Sequence, residues 1–224
     1  MIDGFICKVD HDLYDESGRV FYSGRRAFSD TAKLYVLGLN PGGDPSTEKD
    51  DTIRRSVDHF RTGREHWSAY CDEPWRGRDP GTHYLQRRVC HLLTEIGVDP
   101  RDVPASNVIF VRTVDQRRLA ARRDDLLKRC WPVHSAVIEE LKIKVILCMG
   151  AVAGEWTRDQ VGATICEAEI YEPNRTGRRR RRAYWHRTSD RRRHVVTLPH
   201  PSRSNWCGRN ADEFPSLVEN ALAY

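Results

Sequence analysis

The fold of this chain is decided by the sequence LYVLGLNPGG, residues 34–43. Its first six residues predict a buried β-strand, which Asn-Pro-Gly-Gly then ends abruptly. Pro41 cannot continue a hydrogen-bonded ladder, and the two glycines allow backbone angles that other residues resist. Open α/β sheets bind ligands where their strands end, and this turn would leave the polar side chain of Asn40 there. A second polar turn, HPSRSN at residues 200–205, follows another apolar strand and raises the same expectation.

Other apolar strands are predicted at residues 108–111, 144–148 and 194–198, and they alternate with helices. This alternation predicts an α/β fold with a central four-stranded parallel sheet and helices on both faces. No linker divides the 224 residues, so we expect a single domain over residues 1–224 and a monomer. In the second strand the polar residue Asn107 is expected at the entry. Residues 164–193 are expected to form an irregular hairpin.

The composition, with 39% hydrophobic and 31% charged residues, is typical of a soluble globular protein. No apolar run approaches the roughly 20 residues of a membrane span, and the N-terminus shows no secretory signal. We therefore expect a cytoplasmic protein with no membrane partner. The seven cysteines include no closely spaced pair, whereas zinc and iron–sulfur sites normally use such pairs. We expect reduced thiols, no metal and no cofactor.

The net charge of +5 is concentrated in an Arg-rich insertion at about residues 172–193. Its longest run consists of Arg178, Arg179, Arg180, Arg181 and Arg182. One interpretation is a solvated hairpin, and the other is an arm that binds phosphates. Arginine pairs with phosphate and stacks on bases, and aromatic residues at 184–186 would add stacking surfaces. The pattern favours nucleic acid.

Three residues at the predicted strand ends have complementary chemistry. The amide of Asn40 is no base at neutral pH, but it can hold and orient a water. The amide of Asn107 offers the donor and acceptor needed to read the edge of a pyrimidine. His200 can donate to an oxygen on which negative charge develops. These groups suffice to hydrolyse an N-glycosidic bond without a metal or a nucleophilic side chain.

Five segments resemble motifs of the uracil-DNA glycosylase superfamily, in the family's order over roughly residues 34–205. GLNPG at 38–42 and HPSRSN at 200–205 are similar to its two signature motifs, and Asn40 is typical of the mismatch-specific and single-strand-selective branches. EPWRG at 73–77, SNVIF at 106–110 and KVILCMGA at 144–151 resemble the iron–sulfur branch. The four cluster cysteines of that branch are absent, so the resemblance implies no cluster.

The resemblance implies a role for each matching residue. Asn40 would hold the attacking water, Asn107 would read the base, His200 would stabilise its charge, and Trp75 would stack on it. The base would also contact Gly38, Leu39, Pro41, Gly42 and Gly43. A loop would enter the minor groove of DNA through Ser202, Arg203, Ser204 and Asn205. Arg203 and Ser204 replace a bulky apolar wedge, which would favour single strands or unstable pairs.

Gly42 stands where the strict uracil branch has a tyrosine that blocks the C5 substituent of the base. We therefore expect the pocket to accept a C5-modified pyrimidine. The predicted function is a monofunctional DNA glycosylase that removes a deaminated or C5-modified pyrimidine in base excision. One alternative is a phage-defence glycosylase acting on hypermodified cytosine, and another is a non-catalytic DNA-binding protein. Taken singly, these residues also fit structural roles in turns or in the core.

Overall fold

The computed structural model describes residues 2–29, 31–172 and 181–224. Within these residues the strands are β1 (Leu34–Gly38), β2 (Ala105–Asn107), β3 (Val145–Met149), β4 (Ile165–Glu172), β5 (Arg181–Arg187) and β6 (His194–Leu198). The helices are α1 (Ile2–Ile6), α2 (Ile53–Thr62), α3 (Ala69–Asp72), α4 (Tyr84–Glu95), α5 (Gln116–Ala120), α6 (Arg123–Glu140), α7 (Ala151–Val161) and α8 (Glu213–Ala223). No helix among these is long and apolar enough to cross a bilayer.

In this part of the chain the strands form one six-stranded sheet in the order β2-β1-β3-β6-β5-β4. The first four are parallel, as the sequence predicts, so the expected α/β fold is confirmed. β4 and β5 are antiparallel and extend the sheet beyond β6. The prediction of four strands therefore omitted this hairpin, which is regular over most of its length although we expected it to be irregular.

Helices cover both faces of the parallel sheet, and successive side chains of a strand pack alternately against one helical layer and the other. Tyr35 and Leu37 of β1 belong to one buried cluster, which includes residues of α1, α2, α6 and α7. Leu34 and Val36 belong to the other, which includes residues of α3, α4 and α8. The sheet is thus the middle layer of three, and ligands can reach it only at the ends of its strands.

The second strand corrects the sequence prediction in a way that affects the site. We expected it at residues 108–111, but the paired residues of β2 are 105–107. Asn107 therefore ends the strand, where it is level with Gly38 of β1. The backbone N–H groups of Val108 and Ile109 still donate to the carbonyls of Gly38 and Leu39, so both apolar residues remain packed beside β1 and are buried. As a result, Asn107 lies at the carboxyl edge of the sheet.

Candidate active site

The carboxyl edge of the sheet carries three of the polar residues that the sequence singled out. Asn107 ends β2, Asn40 lies two residues beyond β1, and His200 lies two residues beyond β6. The strand β3 separates β1 from β6, so their ends are two strand spacings, or about 10 Å, apart. Residues at the three strand ends are therefore spaced for a ligand the size of a nucleoside.

The side-chain amide of Asn40 is held in one orientation. Its nitrogen Nδ2 donates to Thr113 Oγ1 at 2.8 Å and to the Pro41 carbonyl at 3.0 Å, with the Val111 carbonyl at 3.4 Å. Because carbonyl oxygens only accept, the nitrogen must point toward them. The oxygen Oδ1 accepts no hydrogen bond from any described residue, so Asn40 has an acceptor left for a water.

Asn107 lies directly over the end of β1. A Cβ atom on Gly38 would come within 2.0 Å of Asn107 Oδ1, so only glycine permits this approach. Tyr22 is buried nearby, where its backbone N–H donates to the Ala105 carbonyl at 2.9 Å. Burial raises the pKa of Tyr22, and the charge of Arg19 opposes this rise. Arg19 covers the Tyr22 ring, 5.2 Å from its centroid. Asn107 is thus a nearly buried amide, 6% exposed, backed by polar neighbours.

His200 is a neutral hydrogen-bond donor. The Ser202 backbone N–H donates to Nδ1 at 3.1 Å, so in the neutral imidazole the proton is on Nε2. Burial, reinforced by the charge of Arg203, lowers the pKa of His200 to about 4. A Cβ on Gly150 would make ordinary contact with the Cβ of His200 at 3.4 Å, so it is the φ of 103° that favours glycine in the turn after β3.

Trp75 and Gly42 line one cleft of about 250 Å³, together with Tyr22. The half-buried Trp75 ring is 5.7 Å from Tyr70 and 5.8 Å from His83, measured between ring centroids. A Cβ on Gly42 would meet no atom within 4 Å, so the space beside it is open. Asn40 and His200 do not line this cleft. Through Gly42 it adjoins the turn that carries Asn40.

Charged side chains form the rest of the cleft wall. Arg19 and Glu73 make a bidentate pair, with N–O distances of 2.6 and 2.9 Å. Arg112 pairs with Glu48 and Asp51 and also donates to the Gly42 carbonyl at 2.8 Å. The cleft therefore offers carboxylate acceptors and fixed guanidinium groups where an apolar pocket would offer neither.

The loop that follows β6 is anchored from two sides. Trp206 Nε1 donates to the Pro199 carbonyl at 2.9 Å, and Arg88 of α4 bonds to Pro201 and to Asn205. Ser202, Arg203 and Asn205 are exposed, whereas Ser204 is completely buried. The predicted DNA contact of the Ser204 side chain is therefore wrong for this conformation, because its hydroxyl is turned inward. Arg203 forms the exposed tip.

Of the predicted arginine arm, Arg178, Arg179 and Arg180 lie outside the described residues. Arg181 and Arg182 begin β5, where Arg182 pairs with Glu169 of β4 at 3.4 Å. Farther along, Arg187 pairs with Glu167 and Arg193 with Glu139. These glutamates belong to neighbouring elements, so a count of charged residues over 174–194 did not include them.

Sequence reasoning also missed several residues of the site, among them Arg19, Tyr22, Glu48, Asp51, Arg112 and Thr113. Each lies in a segment with no motif and reaches the site only through tertiary packing. Arg112 and Thr113 lie two and three residues after the resembling segment 106–110, which is the one signal that could have drawn attention to them.

One cluster among the described residues has side chains of metal-ligand type, namely His66, Asp99 and Asp102. Asp102 pairs with Arg26 at 3.0 Å and Asp99 with Arg101 at 3.6 Å. Guanidinium groups thus already occupy both carboxylates, and we assign the cluster no metal.

The chain matches a known protein family. The family model described as the uracil DNA glycosylase superfamily matches residues 26–223, which is most of the chain. No curated protein matches the sequence. The match includes every described strand and the three residues Asn40, Asn107 and His200, and it extends beyond the five segments that carry the motifs.

Proposed function

Because the chain belongs to the uracil-DNA glycosylase superfamily, whose members are generally DNA glycosylases, we propose that it is a monofunctional DNA glycosylase. Its substrate is a deaminated or C5-modified pyrimidine in DNA, and its product is an abasic site. One observation carries the proposal: at a shared rim, His200 is fixed as a neutral donor and Asn40 as an acceptor. The enzyme acts as a cytoplasmic monomer.

The reaction needs no covalent intermediate. The bond between C1′ and N1 breaks, and its electron pair leaves with the base as an anion. The Nε2–H of His200 donates to the base oxygen that carries this charge, an interaction that strengthens as the charge develops. A water held by Asn40 Oδ1 bonds to C1′ and releases its proton, which neutralises the departed base through solvent. Asn107 holds the edge of the base during these steps.

Replacing the two rim residues separates the enzymatic function from the non-catalytic alternative. Removing one donor aimed at a developing oxyanion typically lowers the rate about 10²–10³-fold, and we expect this loss for His200→Ala. Asn40→Ala should also lose most activity because the substitution removes the acceptor that holds the water in this proposal. The assay counts alkali-labile sites in a uracil duplex and in a 5-hydroxymethyluracil duplex. Wild-type protein that binds both DNAs and cleaves neither base would favour the pure DNA binder.

The cleft beside Gly42 supports a substrate with a substituent on C5. Its volume of about 250 Å³ far exceeds the roughly 15 Å³ that one water requires. Its carboxylates of Glu48 and Asp51 are acceptors suited to hydroxyl groups, so a hydroxymethyl base fits better than a methyl base. Excision should therefore be faster from 5-hydroxymethyluracil than from thymine mispaired with guanine.

Gly42→Tyr tests this assignment directly. The backbone of Gly42 lies outside the left-handed region, so a side chain causes no strain there, and its Cβ meets no atom. The tyrosine should fill the cleft, abolish excision of C5-modified bases and leave uracil excision within a few-fold of wild type. Gly42→Ala is the matched control and should keep both activities. Equal loss of uracil excision in the tyrosine variant would contradict the role of the cleft.

A phage-defence role is the second candidate, and the space behind the cleft favours it. A neighbouring cavity of about 400 Å³ shares Arg19, Asp51 and Glu73 with the cleft. Its polar lining suits a larger hydroxylated adduct, such as glucosylated hydroxymethylcytosine. Excision of that base from a duplex would support defence, and activity confined to plain uracil would rule it out.

A further inference from the structure

We propose that five arginines beside the cleft form the surface that binds the phosphate backbone of DNA. This arginine belt comprises Arg76, Arg78, Arg87, Arg88 and Arg203. The proposal rests on the proposed function in taking DNA as the partner. It assigns backbone binding to the belt and not to the arginine arm at 172–193.

The first half of the belt lies where the cleft meets α4. Arg76 lines the cleft together with His83 and Tyr84, the residues at the start of that helix. The Arg78 backbone N–H donates to the Trp75 carbonyl at 3.0 Å, so Arg76 and Arg78 lie in one tight turn with Trp75. This turn places both arginines next to the predicted stacking residue, which lines the cleft.

The second half joins α4 to the loop after β6. Arg88 lies over the Tyr84 ring, 5.1 Å from its centroid, and donates to Asn205 Oδ1 at 3.2 Å. The carbonyl of Arg87 accepts from Cys207 Sγ at 3.9 Å, so the next part of the loop touches the same helix. Arg203 lies in the turn that begins at His200, where its backbone N–H donates to the His200 carbonyl at 2.8 Å. The belt thus runs from the cleft to the imidazole at the rim.

Belt arginines differ in their partners from three arginines in the described part of the arm. Arg76, Arg78, Arg87 and Arg203 are exposed, and within the described chain none forms an ion pair, even with the adjacent Asp79. By contrast, the arm arginines 182, 187 and 193 are each paired with a glutamate. A free guanidinium can bind a phosphate in a bidentate manner at once, whereas a paired one must first leave its carboxylate. Free arginines aligned beside a base-sized cleft fit a nucleic-acid backbone.

The test is the salt dependence of DNA binding, measured by fluorescence anisotropy on a duplex that contains an abasic site. The slope of log K against log salt should fall by about 0.9 for each phosphate that is no longer neutralised. We expect this for Arg76→Gln with Arg78→Gln, and independently for Arg87→Gln with Arg203→Gln. The control is Arg54→Gln with Arg123→Gln, because both arginines are exposed and paired with Asp15 and Asp124. Its slope should equal that of the wild type.

The outcomes separate this proposal from the proposed function. Wild-type slopes in both belt variants would overturn it, and a drop confined to Arg181→Gln with Arg182→Gln would assign binding to the arm. Exposed substitutions usually change stability by less than about 0.5 kcal/mol, and thermal unfolding would identify a variant that misfolds. If the protein binds DNA through the belt but excises no base, the glycosylase proposal fails and the belt stands.

Discussion

Thr113→Val should slow base excision without weakening DNA binding. Thr113 Oγ1 accepts from Asn40 Nδ2 at 2.8 Å and donates to the Asp115 carbonyl at 3.2 Å. Valine has nearly the same shape but no acceptor, so the amide of Asn40 keeps only the Pro41 and Val111 carbonyls. A net hydrogen bond is worth about 1 kcal/mol, which corresponds to about a fivefold loss in rate if the amide must be oriented to hold the water.

The assay is single-turnover excision from the best base of the substrate panel, with binding to an abasic duplex measured in parallel. Thr113→Ser keeps the hydroxyl and should restore the rate. A role in folding alone would lower thermal stability in both variants and would leave the rate constant of the folded fraction unchanged. Valine and wild-type rates that agree within error would refute the claim that Thr113 orients Asn40.

Three further perturbations test other parts of the site. Gly38→Ala should slow excision but leave stability nearly unchanged, because the new Cβ displaces only the movable end of the Asn107 side chain. Excision kinetics and thermal unfolding would measure the two effects. The excision rate should show no inflection near pH 6.5 from His200, whose pKa is lowered to about 4, and such an inflection in the pH profile would contradict its neutral state. Burial lowers the pKa of His134, bonded to Tyr35, to about 3. Below pH 6.5 the unfolded chain then binds one more proton than the folded chain. The stability contributed by neutral His134 is therefore fully present above pH 6.5, and the free energy of unfolding decreases below it by up to about 1.4 kcal/mol per pH unit. Urea unfolding of His134→Gln should show a shallower pH dependence.

Much of the architecture follows from local patterns in the sequence. The run at 34–39 and the apolar strands near 145 and 195 are buried on both faces, which is the composition of central parallel strands. Pairing of β4 with β5 was harder to predict, because their alternating charged residues look like a solvated loop until opposite charges face each other across the strands.

The position of β2 shows where local sequence patterns no longer predict the structure. Val108 and Ile109 are the most strand-like residues of their segment, yet the paired strand ends before them. The decisive contact is between Gly38 and Asn107, two residues far apart in the chain. Tyr22 and Arg112 are part of the site for the same reason: their neighbours come from distant segments. No spacing rule could have identified them.

The orientation of the chemical groups and the choice of base depend on different kinds of contact. Asn40 is oriented by Pro41 of its own turn and by Thr113, which is distant in the chain, whereas His200 is oriented by Ser202 of its own turn. The wall of the cleft instead depends on ion pairs between remote segments, from Arg19 to Glu73 and from Arg112 to Asp51. Arg112 links the two sets of contacts, because it donates to the Gly42 carbonyl in the turn that carries Asn40. A side chain added at Gly42 leaves this backbone bond in place, so it should alter which base is accepted while Asn40 and His200 stay in place. A tyrosine at position 42 should therefore switch selectivity and not abolish catalysis.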